Sequence, residues 1–138
     1  MKKIIYIFLI LSFISCEKHK IKINNIMVNQ LEEFKKKEKF LPDSKIFYPG
    51  IGKEKLKPIA TKNINLAADD FEELIKTGNT SEEEFQNVIK KGLNRFSDIY
   101  IELDTEDRER VCGYFEELMD IIGLESSNGQ LSNFMYDF

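Results

Sequence analysis

The densest cluster of polar side chains in this chain of 138 residues is the segment 104–110, with the sequence DTEDRER. Its carboxylates are ligands of the kind that hard cations such as calcium or magnesium prefer, but the segment lacks the glycine that an EF-hand calcium loop needs. Acids in a first helical turn also favour the positive end of the helix dipole, and the arginines can pair with acids nearby. We interpret the segment as a helix start and as a candidate interaction surface made by Asp104, Glu106, Asp107, Arg108 and Arg110. A carboxylate- or metal-dependent enzyme is the alternative.

The sequence gives little support for other kinds of catalysis. His19 is the only histidine and lies near the N-terminus, whereas Cys112 lies among apolar neighbours on a helical pattern, so a cysteine–histidine pair is not expected. The chain has no GxSxG, HExxH, CxxC or phosphate-binding glycine loop. We therefore predict no catalytic residue, no metal site and no cofactor.

The N-terminus has the order of features that is typical of an export signal. Met1 and two lysines precede an apolar run from Ile4 to Ile14, 11 residues interrupted only by Ser12. A bilayer core needs about 20 apolar residues, so this run is too short to span it and reads as a secretory signal. A buried N-terminal helix or a short membrane anchor is the alternative.

Ser15 directly before Cys16 resembles the lipobox of bacterial lipoproteins, although Phe13 stands where leucine is commoner. In such proteins the cysteine thiol is diacylated and the preceding peptide is removed, so the resemblance implies that Cys16 is the lipidated first residue. Two or more acyl chains give stable attachment without a transmembrane helix. The expected organisation is a signal peptide at 1–15, a lipidated cysteine and tether at 16–24, and one domain at 25–138, in the bacterial cell envelope.

The mature chain is acidic, with 18 basic and 24 acidic side chains, and nucleic-acid binding is therefore not expected. The charges are uneven: residues 17–62 carry 12 lysines and 6 acids, and residues 63–138 carry 6 basic residues and 18 acids. The basic segment could lie against anionic headgroups, pair with the acidic half of its own domain, or stay solvated.

Helical spacing of apolar residues predicts a single all-α domain of about four helices. The first covers about 25–39, the second 61–76, the third runs from a Thr80–Glu83 capping box to about 103, and the fourth starts at Asp104 or Thr105. Gly92 on the apolar face of the third predicts a close approach by a neighbouring helix. An irregular loop with Pro and Gly follows the first helix, and we expect its apolar residues, including Phe47, to be tucked under neighbouring helices. An exposed binding surface formed by these residues is the alternative. The apolar tail 124–138 is expected to pack back.

The run DTEDRERVC-x-YFEELMDIIGLESS resembles a family of small bacterial proteins of unknown function, and the likeness covers about Asn63 to the C-terminus. The resemblance implies a small helical domain and no known activity. The expected function is a membrane-anchored envelope lipoprotein that acts as a protein-binding module, with an inhibitor or immunity-like role as one form. A structural lipoprotein without a dedicated ligand is a further alternative.

Overall fold

The computed structural model describes residues 18–136, so the predicted signal peptide and Cys16 lie outside the described residues. Its α-helices are α1 (Asn25–Lys36), α2 (Lys57–Thr77), α3 (Glu82–Asn94), α4 (Thr105–Ile122) and α5 (Gln130–Tyr136). Short 3₁₀ turns cover Ser44–Ile46, Glu54–Leu56 and Tyr100–Glu102, and the described part of the chain contains no β-strand. The all-α prediction is confirmed, with five helices instead of four.

The core is built by α2, which packs against α1, α3 and α4, while α5 covers α3 and α4. Phe71 of α2 meets Phe85 of α3 with ring centroids 5.4 Å apart, and both are fully buried. Gly92 lies where α3 meets α2 and α4, and a Cβ there would be 2.8 Å from the ring of Phe115. The predicted close approach at Gly92 is therefore confirmed.

The third helix is shorter than its pattern predicted, because it ends at Asn94 and not near residue 103. The backbone then tightens: Phe96 N donates to Leu93 O at 3.0 Å, and Ile99 N donates to Phe96 O at 3.0 Å. The carbonyl of Arg95 accepts a hydrogen bond of 2.9 Å from Asn63 Nδ2 on α2. This turn directs Phe96 against Phe134, 5.9 Å away between centroids, and the tail folds back as the fifth helix.

The N-terminal cap of α3 is Ser81, not Thr80 as the capping-box pattern suggested. Ser81 Oγ accepts a hydrogen bond of 3.3 Å from the N–H of Glu84. The carbonyl of Thr80 instead accepts a hydrogen bond of 2.8 Å from the N–H of Ile21, and Glu82 N donates to His19 O at 3.1 Å. Residues 19–21, which belong to the predicted tether, therefore run along the start of α3.

The basic and acidic halves of the chain pair with each other. Lysines of the first half form ion pairs with acids of the second half: Lys18 with Glu83, Lys35 with Asp69 and Glu72, Lys37 with Glu117, and Lys53 and Lys55 with Glu102. Of the three alternatives for the basic segment, the structure thus supports pairing within the domain for these five lysines.

Candidate functional site

The DTEDRER segment forms the first turns of α4. Its residues lie at the helix cap, in a buried contact with the loop after α1, or on the exposed surface of α4. Asp104 is the N-terminal cap, since its Oδ1 accepts a hydrogen bond of 2.8 Å from the N–H of Asp107. This confirms the predicted helix start and selects Asp104 over Thr105. Glu106 is exposed on the outer face of α4.

Asp107 is buried, with 1% of its surface exposed, so it does not belong to an exposed interaction surface. Its Oδ1 accepts a hydrogen bond of 2.8 Å from the hydroxyl of Tyr48, and its Oδ2 accepts one of 3.2 Å from the N–H of Gly52. Burial raises the pKa of this carboxyl, while the Tyr48 and Gly52 hydrogen bonds act in the opposite direction. Asp107 therefore anchors the loop between α1 and α2 to α4.

Little room is left for a side chain at Gly52, where the loop meets α4. A Cβ at this position would lie 2.6 Å from Asp104 Oδ2, closer than a real Cβ comes to another atom. A residue with a side chain could therefore occupy position 52 only if the Asp104 carboxylate shifted.

The sequence suggested that Arg108 and Arg110 could pair with nearby acids. In the structure, neither arginine forms an ion pair with a described carboxylate. The Arg108 guanidinium lies 4.1 Å from the ring centroid of Tyr100, and that of Arg110 lies 4.4 Å from the centroid of Tyr114. Both stack on aromatic faces, which attract a cation through the ring quadrupole. They point to different sides of α4, so only Arg110 faces the cleft described next.

A cleft of about 470 Å³, which we call the α4 cleft, lies between the loop after α1 and the outer face of α4. Its walls on the helix side carry Glu106, Glu109, Arg110 and Glu116. Its rim on the loop side carries Ile46 and Phe47. The cleft thus combines an apolar rim, three carboxylates and one guanidinium that forms no ion pair with a described carboxylate.

Phe47 is the most unusual residue of this rim. It is 92% exposed and has a φ of 55°, in the left-handed region that costs a non-glycine residue about 1 kcal/mol or more. Paired backbone hydrogen bonds hold the turn, since Asp43 N donates to Tyr48 O at 2.8 Å and Tyr48 N donates to Asp43 O at 2.9 Å. The turn therefore presents a bulky aromatic ring to solvent.

Sequence reasoning placed Phe47 and its apolar neighbours under adjacent helices, and this was right for only part of the loop. Tyr48 and Ile51 are buried, whereas Ile46 and Phe47 are exposed. Neighbouring residues of similar polarity take opposite surroundings here, and nothing in their types marks which one faces outward.

Metal chemistry has no preformed site in the part of the chain that the structure describes. No group of three or more His, Cys, Asp or Glu side chains within residues 18–136 has an arrangement that could hold a metal ion. The carboxylates of Asp104 and Asp107 are already used by the helix cap and the loop anchor. Cys112 is buried as predicted, and burial raises the pKa of its thiol to about 12.

The membrane prediction concerns residues that the structure does not describe. None of the helices between residues 18 and 136 is long and apolar enough to cross a bilayer. Cys16 and the apolar run before it lie outside the described residues. The lipid anchor therefore stays a prediction.

The five-helix fold and its anchored loop define a small all-α domain of the kind expected from the sequence. The model of the family described as domain of unknown function DUF4844 matches residues 20–138, and the chain belongs to this family. The chain is also similar to a solved crystal structure of a DUF3571 family protein from Acinetobacter baumannii AYE. That chain is 34% identical, and the match covers 80% of this chain and 89% of that chain with a TM-score of 0.74. No curated protein matches the chain.

Proposed function

We propose that this protein is a bacterial envelope lipoprotein, anchored through lipid on Cys16, that binds a protein partner with Phe47 and the α4 cleft. The observation that carries the proposal is the exposure of Phe47 in a left-handed conformation, beside an arginine that pairs with none of the described acids. A folded chain gains no stability from a solvent-exposed aromatic ring in a strained conformation. Strain of this kind is concentrated at binding and active sites.

The composition of the cleft favours a protein partner. Aromatic residues and arginine are enriched among the residues that dominate binding energy at protein interfaces. Phe47 supplies about 150 to 250 Å² of apolar surface if a partner pocket buries it. Arg110 lies stacked on Tyr114, and its guanidinium is therefore ordered before a partner carboxylate or carbonyl reaches it.

The charge of the surface selects the chemistry of the partner. Glu106, Glu109 and Glu116 surround the single guanidinium, within a half of the chain that carries 18 acids and 6 basic residues. The partner expected from this arrangement has an apolar pocket for Phe47 and a basic rim that faces the three glutamates. An inhibitor or immunity-like role fits this description, because blocking a basic protein requires binding and no catalysis.

The anchor would hold this domain near a membrane surface. His19 and Ile21 hydrogen bond to the start of α3, and Lys18 forms an ion pair of 2.8 Å with Glu83. His19 comes three positions after Cys16, and three residue steps extend at most about 11 Å. A lipidated Cys16 therefore leaves little free tether, and the start of α3 would face the headgroups.

The interaction is tested by affinity capture with the full-length, membrane-attached protein, followed by mass spectrometry. The expected result is one stoichiometric partner of basic character that is retained by the wild type and lost with Phe47→Ala. Ile101→Ala is the matched control, because Ile101 is also 92% exposed and lies away from the α4 cleft. Capture that is equal in both variants, or no stoichiometric partner at all, would contradict the proposal.

The same capture experiment tests which arginine contacts the partner and whether Cys16 carries lipid. Arg110→Gln should weaken retention of the partner, whereas Arg108→Gln should not, since Arg108 stacks on Tyr100 away from the cleft. The mass of the N-terminal peptide should correspond to a diacylated Cys16 as the first residue. An intact Met1 or an unmodified Cys16 thiol would remove the anchor from the proposal without affecting the binding surface.

A further inference from the structure

A second cleft, between α3, α5 and the turn before α5, has a composition unlike the rest of the surface. Its volume is about 430 Å³, within the range of small-ligand pockets. We call it the amide cleft because six carboxamide side chains line it: Gln86, Asn87, Asn94, Asn128, Gln130 and Asn133. The whole chain has 13 Asn and Gln residues, so nearly half of them meet here.

No carboxylate lies among the described residues that line the amide cleft, although the chain has 24 acids. The one charged residue among the described residues of the lining is Lys90, which forms no ion pair with any of them or with the rest of the described chain. The next residue, Lys91, does form one, with Asp70 at 2.8 Å. Among the described residues, the cleft therefore offers one positive charge between side chains that carry none.

Part of this wall is fixed by hydrogen bonds. Gln86 Nε2 donates to the carbonyl of Ser126 at 2.6 Å, and Gln86 Oε1 accepts from Gln130 Nε2 at 2.7 Å. Gln130 Nε2 also lies 3.1 Å from the carbonyl of Gln86. These contacts join α3 to α5 and order the two glutamines.

The remaining wall is open to a ligand. The side-chain amides of Asn87, Asn94 and Asn133 form no hydrogen bond with any described residue, and all three are exposed. Each carboxamide offers both N–H donors and a carbonyl acceptor. The same donor and acceptor pair occurs in every peptide group, so carboxamides can pair with a peptide main chain whatever its side chains are.

From this arrangement we infer that the amide cleft binds a short extended peptide segment that carries a carboxylate. The asparagines pair with its main chain and Lys90 pairs with its carboxylate. The described lining residues include no aromatic ring on which a sugar could stack, and no acid that would select a cation. This site is separate from the α4 cleft and does not depend on the partner proposed for it.

The inference is tested by NMR on the full-length protein in detergent micelles, following the side-chain NH₂ signals of Asn87, Asn94 and Asn133. The probes are acetyl-Ala-Glu-Ala-Ala-amide and its counterpart with Gln in place of Glu. We expect saturable shifts of these signals with both peptides, and tighter binding of the peptide that contains Glu. Asn87→Ala combined with Asn133→Ala should weaken both.

Lys90→Gln should weaken binding of the Glu peptide by about fivefold and leave the Gln peptide unchanged. Lys62→Gln is the matched control, because Lys62 is exposed, forms no ion pair with a described residue and lies on α2. Three results would overturn the inference: no saturation below about 10 mM peptide, equal loss in the control, or the same shifts at lower concentrations of N-acetylglucosamine or inorganic phosphate.

Discussion

The hydroxyl of Tyr48 donates a hydrogen bond of 2.8 Å to the buried carboxylate of Asp107, and this contact joins two parts of the chain 59 residues apart. Tyr48 immediately follows the exposed Phe47. The contact that anchors the loop to α4 therefore also fixes the turn that presents Phe47. Stability of the domain and geometry of the proposed binding surface depend on the same pair.

Removal of the Tyr48 hydroxyl should destabilise the protein. Tyr48→Phe leaves Asp107 with only the N–H of Gly52 beyond its own helix, and an under-satisfied buried acceptor costs about 1 to 3 kcal/mol. Urea unfolding should show this loss in the free energy of unfolding. Tyr136→Phe removes the same atom from a residue that is 77% exposed and should change stability by less than about 0.5 kcal/mol. Equal stabilities for the two variants would show that the hydroxyl contributes nothing.

Stability should fall in acid through Glu72. Hydrogen bonds from Lys35 and Lys76 lower the pKa of this carboxyl to about 2, so its folded-state pKa is lower than its unfolded value near 4.5. The contribution of Glu72 to the free energy of unfolding is present above about pH 4.5 and is lost as the pH falls towards 2. Glu72→Gln should therefore be less stable than the wild type at pH 7, with a difference that shrinks below pH 4.5. Glu73→Gln, an exposed neighbour, serves as the control, and a difference that is constant with pH would contradict the assignment.

A second pH effect should arise at Lys39, which is buried although lysines seldom are. Its Nζ donates to the carbonyls of Phe34 and Lys37, and burial lowers its pKa to about 8. Between about pH 8 and 10.5 the unfolded chain holds a proton that the folded protein has lost, so Lys39 makes stability rise with pH. The quantity to measure is the difference between wild type and Lys39→Met, since Cys112 titrates in an overlapping range. This difference should grow from pH 8 to 10 in favour of the wild type.

The exposed variant Lys62→Met retains Lys39 and should therefore keep the wild-type pH dependence. A stability difference between wild type and Lys39→Met that stays flat from pH 8 to 10 would mean that Lys39 remains charged in the folded protein.

Two helical glycines should respond in opposite ways to alanine. A Cβ at Gly92 would lie 2.8 Å from the ring of Phe115 and 3.2 Å from Ala67 Cβ, so overpacking of about 1 to 3 kcal/mol should outweigh the helix-propensity gain of about 1 kcal/mol. A Cβ at Gly113 meets nothing within 4 Å, so only the gain should remain there. Thermal unfolding should show a lower Tm for Gly92→Ala and an unchanged or higher Tm for Gly113→Ala. A stabilised Gly92→Ala would contradict the close packing.

The sequence predicted the helical faces well because apolar spacing reports burial directly. The start of α4 at Asp104 and the packing role of Gly92 are as expected, because each depends on the local pattern of a single helix. The end of α3 was missed because no glycine or proline marks it. The chain turns there through tertiary contacts of Arg95 and Phe96, which local pattern does not encode.

The candidate site was predicted only in part for a similar reason. The DTEDRER segment does start a helix, but whether an acid faces solvent or a loop depends on what packs against it. Asp107 is buried because Tyr48 and Gly52, distant in sequence, supply its donors. The exposure of Phe47 follows from a left-handed turn at a non-glycine residue, which residue type disfavours and sequence patterns therefore miss.

The binding surface at Phe47 is tested most directly by photo-crosslinking in intact cells of the producing bacterium. Phe47→p-benzoylphenylalanine places the crosslinker at the rim of the α4 cleft, and Ile101→p-benzoylphenylalanine places it at an equally exposed position elsewhere. We expect a single crosslinked product of defined mass from position 47 and none of the same mass from position 101. Absence of any crosslink at position 47, or the same product from both positions, would contradict the account.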